Sequence, residues 1–280
     1  MTEAIKILTL IDIIFVILLG MSSSVGGVFG EIMYCCVVFV LPVLIGYYAS
    51  LRLKSKREAE AGVTEKYTNP FLLSGSGFKR LLPVIAPAVT LVFSVSLLTS
   101  FLLSAFGVSS PSVEDRDIFT MLYAHALSPA ILEEMLFRYV PLILLAPYSK
   151  RMCIFYSAFC FALIHCSFWQ MPYAFVAGVV FMAVDIALDS VWPSVLLHLI
   201  NNAASVVMMK YCTTTGATTI FILVMLIFTL LSLILVYRKR REYRNMLVSA
   251  FEVGDRGEFT YATVILTLMC GYFAVMNLLS

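Results

Sequence analysis

An all-α bundle of membrane-spanning helices is the fold class that this 280-residue chain predicts. Three observations predict it. Hydrophobic residues make up 61% of the chain and charged ones 13%, with a mean hydropathy of +0.96, which excludes an ordinary water-soluble domain and a disordered chain alike. The apolar residues fall in continuous runs long enough to cross ~30 Å of hydrocarbon at roughly 20 residues each. Strict apolar–polar alternation is absent, so helices are expected rather than the strands of an outer-membrane barrel.

The runs lie at 5–24, 31–50, 84–106, 118–147, 152–168, 171–189, 194–210, 217–237 and 259–279, giving eight or nine spans. Ser22-Ser23-Ser24 behind the first run imitates a signal-peptide cleavage region. The run is expected to stay as an anchor, because Glu3 spoils a basic leader and removal would misorient the second span. After the second run come Arg52, Lys54, Lys56, Arg57, Lys66, Lys79 and Arg80; after the fourth, Lys150 and Arg151; after the eighth, Arg238 to Arg241 and Arg244. The opposite loops are nearly free of cations: 25–30 has none, and 107–117 sets Glu114, Asp115 and Asp117 against Arg116. Short loops rich in Lys and Arg are retained on the cytoplasmic side, so nine spans with a cytoplasmic amino terminus satisfy every loop. The expected location is a multi-pass integral protein surrounded by lipid, in the plasma membrane if the source is bacterial.

The polar segments 51–69 and 242–258 are too short to fold alone, and no repeat of 20–50 residues is present. A single membrane domain, 1–280, is expected, with its chemistry in 118–205, which is read as holding every histidine and all the intramembrane carboxylates. The formal net charge of +2 belongs to the membrane-flanking loops and points to no nucleic-acid partner. Seven cysteines without a C-x-x-C pair indicate neither a zinc site nor a disulfide framework. Nucleotide, haem and flavin motifs are absent.

Ionisable groups at bilayer depth are costly and mark function. Read as helix, Leu132-Glu133-Glu134-Met135-Leu136-Phe137-Arg138 places Glu134 and Arg138 four apart on one face, where they pair. Glu133 then points about 100° from Glu134 and about 140° from Arg138. One carboxylate is neutralised and the other is left over for a proton, a donor or a water, as a general base requires. The same three residues also read as an ion network that holds the helix in place. Phe161 and His165, and likewise His198 and Asn202, stand at i and i+4 on single helix stripes. Two adjacent donors, an imidazole and an amide, can hold an oxyanion. Asn201 lies one position off that stripe and can serve instead as a helix–helix hydrogen bond. Asp185 and Asp189 share a face and either line a cavity or lie at a membrane surface, while His125 reads as a packing or interface residue.

Glu133-Glu134-x-x-x-Arg138, Phe161-x-x-x-His165 and His198-x-x-x-Asn202, in this order on successive apolar segments, resemble the three motifs of the CPBP family, the CAAX-protease and bacteriocin-processing group also called Abi. Ser128-Pro129-Ala130 before the acids and Ser190-Val191-Trp192-Pro193-Ser194 before His198 agree with the resemblance. Tyr139, Asp185 and Asp189 depart from it. The resemblance covers about 118–205 and implies a glutamate-dependent intramembrane endopeptidase. It assigns Glu133 and His165 to water activation, His198 and Asn202 to the oxyanion, and Glu134 and Arg138 to support. The implied substrates are prenylated (CAAX-type) or bacteriocin-like peptides in a cavity among the central helices, and no cofactor is implied.

Glu133, His165 and His198 are also credible zinc ligands, though the compact His-Glu-x-x-His helix of common zinc proteases is missing. A non-enzymatic reading, an immunity factor or scaffold binding a peptide in the same cavity, uses the same side chains. A proton-coupled transporter fits less well, because the chain shows no paired halves. Depth sets a difficulty for all of these readings. With straight spans, His165 lies ~20 Å from the cytoplasmic end of its run and His198 only ~6 Å from its own. Kinked or short helices at Pro129, Pro172 and Pro193 are expected to bring them together.

Overall fold

The computed structural model describes residues 1–23, 33–61, 71, 74–107, 117–212 and 214–251, and every regular element among them is helical. The expected ninth span, 259–279, lies outside the described residues, as does the loop 25–30. Six helices among the described residues are long and apolar enough to cross a membrane. An integral membrane protein follows.

Helix α1 (Thr2–Ser23) buries Ala4, Ile5, Leu8, Ile11 and Phe15, one stripe at helical spacing. It packs on α2 (Leu41–Ala61) and on the π-helical stretch Met33–Val40 that leads into α2. Helix α3 (Gly75–Ala105) begins earlier than its apolar run because Ser74 caps it, the Oγ accepting from the Gly77 amide at 3.0 Å. Pro83 and Pro87 lie inside α3. Pro87 has no N–H for the Pro83 carbonyl four residues back, and the hydroxyl of Tyr243 fills the gap at 2.7 Å.

The expected span 118–147 is a relay of three short α-helices, α4 (Ile118–Leu122), α5 (Ser128–Glu134) and α6 (Val140–Leu144), joined by π-helical turns at Tyr123–Leu127 and Met135–Tyr139. Each π turn immediately precedes a proline-led helix, with Pro129 in α5 and Pro141 in α6. A proline ring crowds the carbonyl four residues back and gives it no hydrogen, so the helix widens there.

Helix α7 (Lys150–Ile164) is followed by α8 (Met171–Leu188), α9 (Trp192–Tyr211), α10 (Thr215–Arg238) and α11 (Arg240–Ala250). The expected span 152–168 is thus replaced by a 15-residue helix, about 22 Å long. His165 caps it, and Cys166 turns the chain with φ 44°. Pro172 and Pro193 do not kink their helices. They occupy the first turns of α8 and α9, where the missing N–H costs nothing.

Helix α8 is the hub, packing on α3, α7, α9 and α11. Its closest neighbour is α7: a methyl group built on Gly178 would stand 2.5 Å from the Ala158 Cα. Ala174 and Gly178, four apart, let the two backbones meet, a common device where lipid supplies no hydrophobic drive between helices. Thr90 and Ser232 tie α3 to α10 through a buried hydroxyl pair at 2.9 Å. Helix α10 otherwise presents exposed Ile, Leu and Val around most of its circumference, as a lipid-facing helix does.

Candidate active site

The relay of short helices places the two glutamates at the end of α5, facing α9. Glu134 and Arg138 are fully buried and meet as an ion pair, Nε to Oε2 at 3.2 Å, as their four-residue spacing predicts. The guanidinium also donates to Ser157 Oγ at 3.2 Å and to the Phe137 carbonyl at 3.3 Å. That carbonyl is available because the residue four ahead is Pro141, and the Ser157 hydroxyl donates to it as well. Arg138 lies 4.3 Å above the face of Phe161, so its remaining surface is covered by a cation–π contact.

Phe161 is the hub of the site. Its ring meets His165 edge-on at 4.9 Å between centroids and His198 at 5.7 Å. The sequence placed Phe161 in a motif without assigning it a contact. Its four-residue spacing to His165 was the available signal, while its contacts with Arg138 and His198 come only from the tertiary fold.

His198 sits between the two acids. Its Nδ1–H donates to Glu134 Oε1 at 2.7 Å, because a carboxylate can only accept. Its Nε2 stands 3.9 Å from Glu133 Oε2. Glu133 keeps 13% of its side chain exposed, whereas Glu134 has none. The geometry separates the acids as expected: Glu134 is paired with Arg138 and His198, and Glu133 is the one with room. The resemblance joins His165 to Glu133 and leaves His198 for the oxyanion; in the structure His198 is the imidazole bonded to Glu134 and standing 3.9 Å from Glu133.

His165 closes α7, and its Nδ1–H donates to the Phe161 carbonyl at 2.8 Å, which leaves Nε2 with its lone pair. Asn202 is half-buried one turn beyond His198 and accepts from the Asn201 amide at 3.3 Å, which leaves its own N–H₂ to donate. The two histidines that a count along straight spans sets at different depths meet at one ring, since Phe161 contacts both His165 and His198.

Asp185 and Asp189 divide. Asp185 is fully buried and accepts from the Ser194 amide at 2.9 Å; Asp189 is exposed in a left-handed conformation. Neither expectation for the two as a pair describes them. His125 is exposed on the first π turn. Sequence reasoning passed over Asp12, a buried carboxylate on α1 that accepts from the Tyr156 hydroxyl of α7. One acidic residue in a span was its signal. Cys153 and Cys160 are buried thiols, and no group of three or more His, Cys, Asp or Glu that could hold a metal ion occurs among the described residues.

Residues 115–204 match the family of Rce1-like type II CAAX prenyl endopeptidases. The match takes in all three motifs and agrees with the resemblance drawn from them. No curated protein and no solved structure matches the chain. A protease of the intramembrane CAAX class is what the Rce1-like match implies, and the apolar helices around the site fit it.

Proposed function

We propose that the chain is an intramembrane endopeptidase that hydrolyses a peptide bond by glutamate-activated water, with prenylated carboxyl-terminal peptides as its substrate class and 118–205 as its catalytic core. The observation that carries this reading is His198 set between a glutamate paired with arginine and an open one. The gap of 3.9 Å from Nε2 to Glu133 is too long for a direct hydrogen bond and suits one water bonded to both at about 2.8 Å each.

Glu133 takes a proton from that water as the oxygen attacks the scissile carbonyl, and His165 Nε2 accepts the water's second hydrogen bond. With Nδ1–H committed to Glu134, His198 acts as an imidazolium whose one Nε2–H donates to the water before attack and turns to the oxyanion as the tetrahedral centre forms. Glu134 stabilises that charge, and Arg138 balances Glu134. The Asn202 amide supplies the second donor. The protonated Glu133 then returns its proton to the leaving amine. Glu133→Gln is isosteric, so the variant inserts and folds but loses at least about a hundredfold in turnover of a prenylated peptide in detergent. Unchanged turnover would overturn the assignment, and retained peptide binding with no cleavage by either protein would favour a binding factor.

A further inference from the structure

The corner between α8 and α9 is held by one side chain for which the proposed chemistry has no use. Asp185 lies fully buried in the last turn of α8. Its backbone carbonyl accepts from the amides of Asp189 and Ser190, the latter at 3.1 Å, which closes α8 at the left-handed Asp189 (φ 52°). Its carboxylate then reaches across the corner to Ser194 of α9.

Helix α9 needs that reach. The first amides of a helix have no partner within it. Val191, which stands in the capping position, has no side-chain oxygen to offer. The Trp192 amide donates to Ser190 Oγ at 3.3 Å, Pro193 has no N–H, and the Ser194 amide donates to Asp185 Oδ1 at 2.9 Å. The Ser194 amide is buried in the bundle, where an unpaired amide is costly, whereas Trp192 is exposed. The cap is therefore supplied from the neighbouring helix. Ser194, His198 and Asn202 follow at four-residue steps on one face, so His198 is one turn above the capped amide. The Ser194 side chain also lies against Glu134.

We propose that Asp185 is a positioning residue for the site: by capping the buried start of α9 from α8, it sets the height and rotation at which His198 meets Glu134 and Glu133. Its kinetic consequence rests on the endopeptidase reading; its structural consequence does not. The sequence separates the two readouts, because the chain has only three histidines, His125, His165 and His198.

The test uses the full chain in nanodiscs with ¹⁵N-labelled histidine, the His198 signals being assigned with His198→Gln, together with cleavage of a farnesylated CAAX peptide. Asp185→Ala removes the acceptor, and Asp185→Asn keeps an oxygen for the Ser194 amide. The expected result for Asp185→Ala is a kcat lower by roughly a hundredfold with KM within about twofold, since an ångström of misplacement costs that much. The His198 signals shift while those of His125 hold, and Asp185→Asn restores both readouts. Wild-type kcat and unmoved His198 signals in Asp185→Ala overturn the inference. So does a change in all three histidines that Asp185→Asn does not rescue, since that marks a merely structural residue. If the wild-type protein does not cleave the peptide, the endopeptidase reading fails, and the His198 signals still decide the role of Asp185.

Discussion

Replacing Arg138 by methionine removes a charge on which the buried site depends while keeping much of the side-chain volume. The guanidinium has no exposed surface and is held by Glu134 at 3.2 Å, Ser157 at 3.2 Å, the Phe137 carbonyl at 3.3 Å and the Phe161 ring at 4.3 Å. Methionine fills most of the space, so the cost is mainly electrostatic: Glu134, itself fully buried, loses the guanidinium and keeps His198 and the Ser194 side chain. An uncompensated buried charge costs about 3–5 kcal/mol. Glu134→Gln leaves the arginine unpaired and carries a cost of the same order. The Glu134→Gln/Arg138→Met double variant removes both charges and is expected within roughly 2 kcal/mol of the wild type, because a buried pair is close to neutral against well-packed neutral residues. Equilibrium unfolding in mixed micelles, followed by far-ultraviolet circular dichroism, gives all four corners of the cycle. The expected coupling energy is at least about 2 kcal/mol. A single-variant cost under about 1 kcal/mol, with the double variant equal to the sum of the singles, refutes the idea that this pair supports the site.

Three further outcomes follow from packing and charge. Gly178→Ala forces a methyl group to 2.5 Å from the Ala158 Cα, so α7 and α8 must separate, at a cost of about 1–3 kcal/mol by the same unfolding assay; wild-type stability contradicts the backbone contact. Asp12→Ala takes the carboxylate acceptor from the buried Tyr156 hydroxyl and destabilises by about 1–3 kcal/mol, whereas Asp12→Asn keeps an acceptor and loses much less. Equal losses in the two Asp12 variants would remove the hydrogen bond as the cause. At the start of α4, hydrogen bonds from the Thr120 side chain and amide hold Asp117 below the usual carboxylate range. A depressed folded value contributes stability above the unfolded value, and that contribution is lost as pH falls through the folded one. Hydrogen exchange at the Thr120 amide, corrected for intrinsic rates, therefore speeds up only in acid below the ordinary aspartate range; a change near neutrality contradicts the cap.

The fold class and the acidic pair were legible in the sequence because both rest on local rules. Apolar run length reveals a spanning helix, and a four-residue spacing reveals the Glu134–Arg138 pair wherever the helix sits. The span 118–147 was not legible as a relay, since period alone does not distinguish an α-turn from a π-turn, although Pro129 and Pro141 mark both places where the helix widens. The short α7 escaped because no glycine or proline ends it; His165 and Cys166 do. The partnership of His198 with both acids and the stacking of Phe161 under Arg138 join segments far apart in the chain, the reach of Asp185 to Ser194 crosses from one helix to the next, and no spacing rule covers any of them. Asp12 was in plain view and needed only the rule that a buried carboxylate must have a partner.

The most direct test of the central claim is mass spectrometry of a farnesylated CAAX peptide incubated in ¹⁸O-water with the purified protein in nanodiscs. Glutamate-activated water predicts a shortened peptide from the wild type, carrying one ¹⁸O in its new carboxyl group, and none from Glu133→Gln at equal folded concentration. Labelled product from both proteins at the same rate would contradict the role of Glu133, and intact peptide with both would contradict the hydrolysis itself.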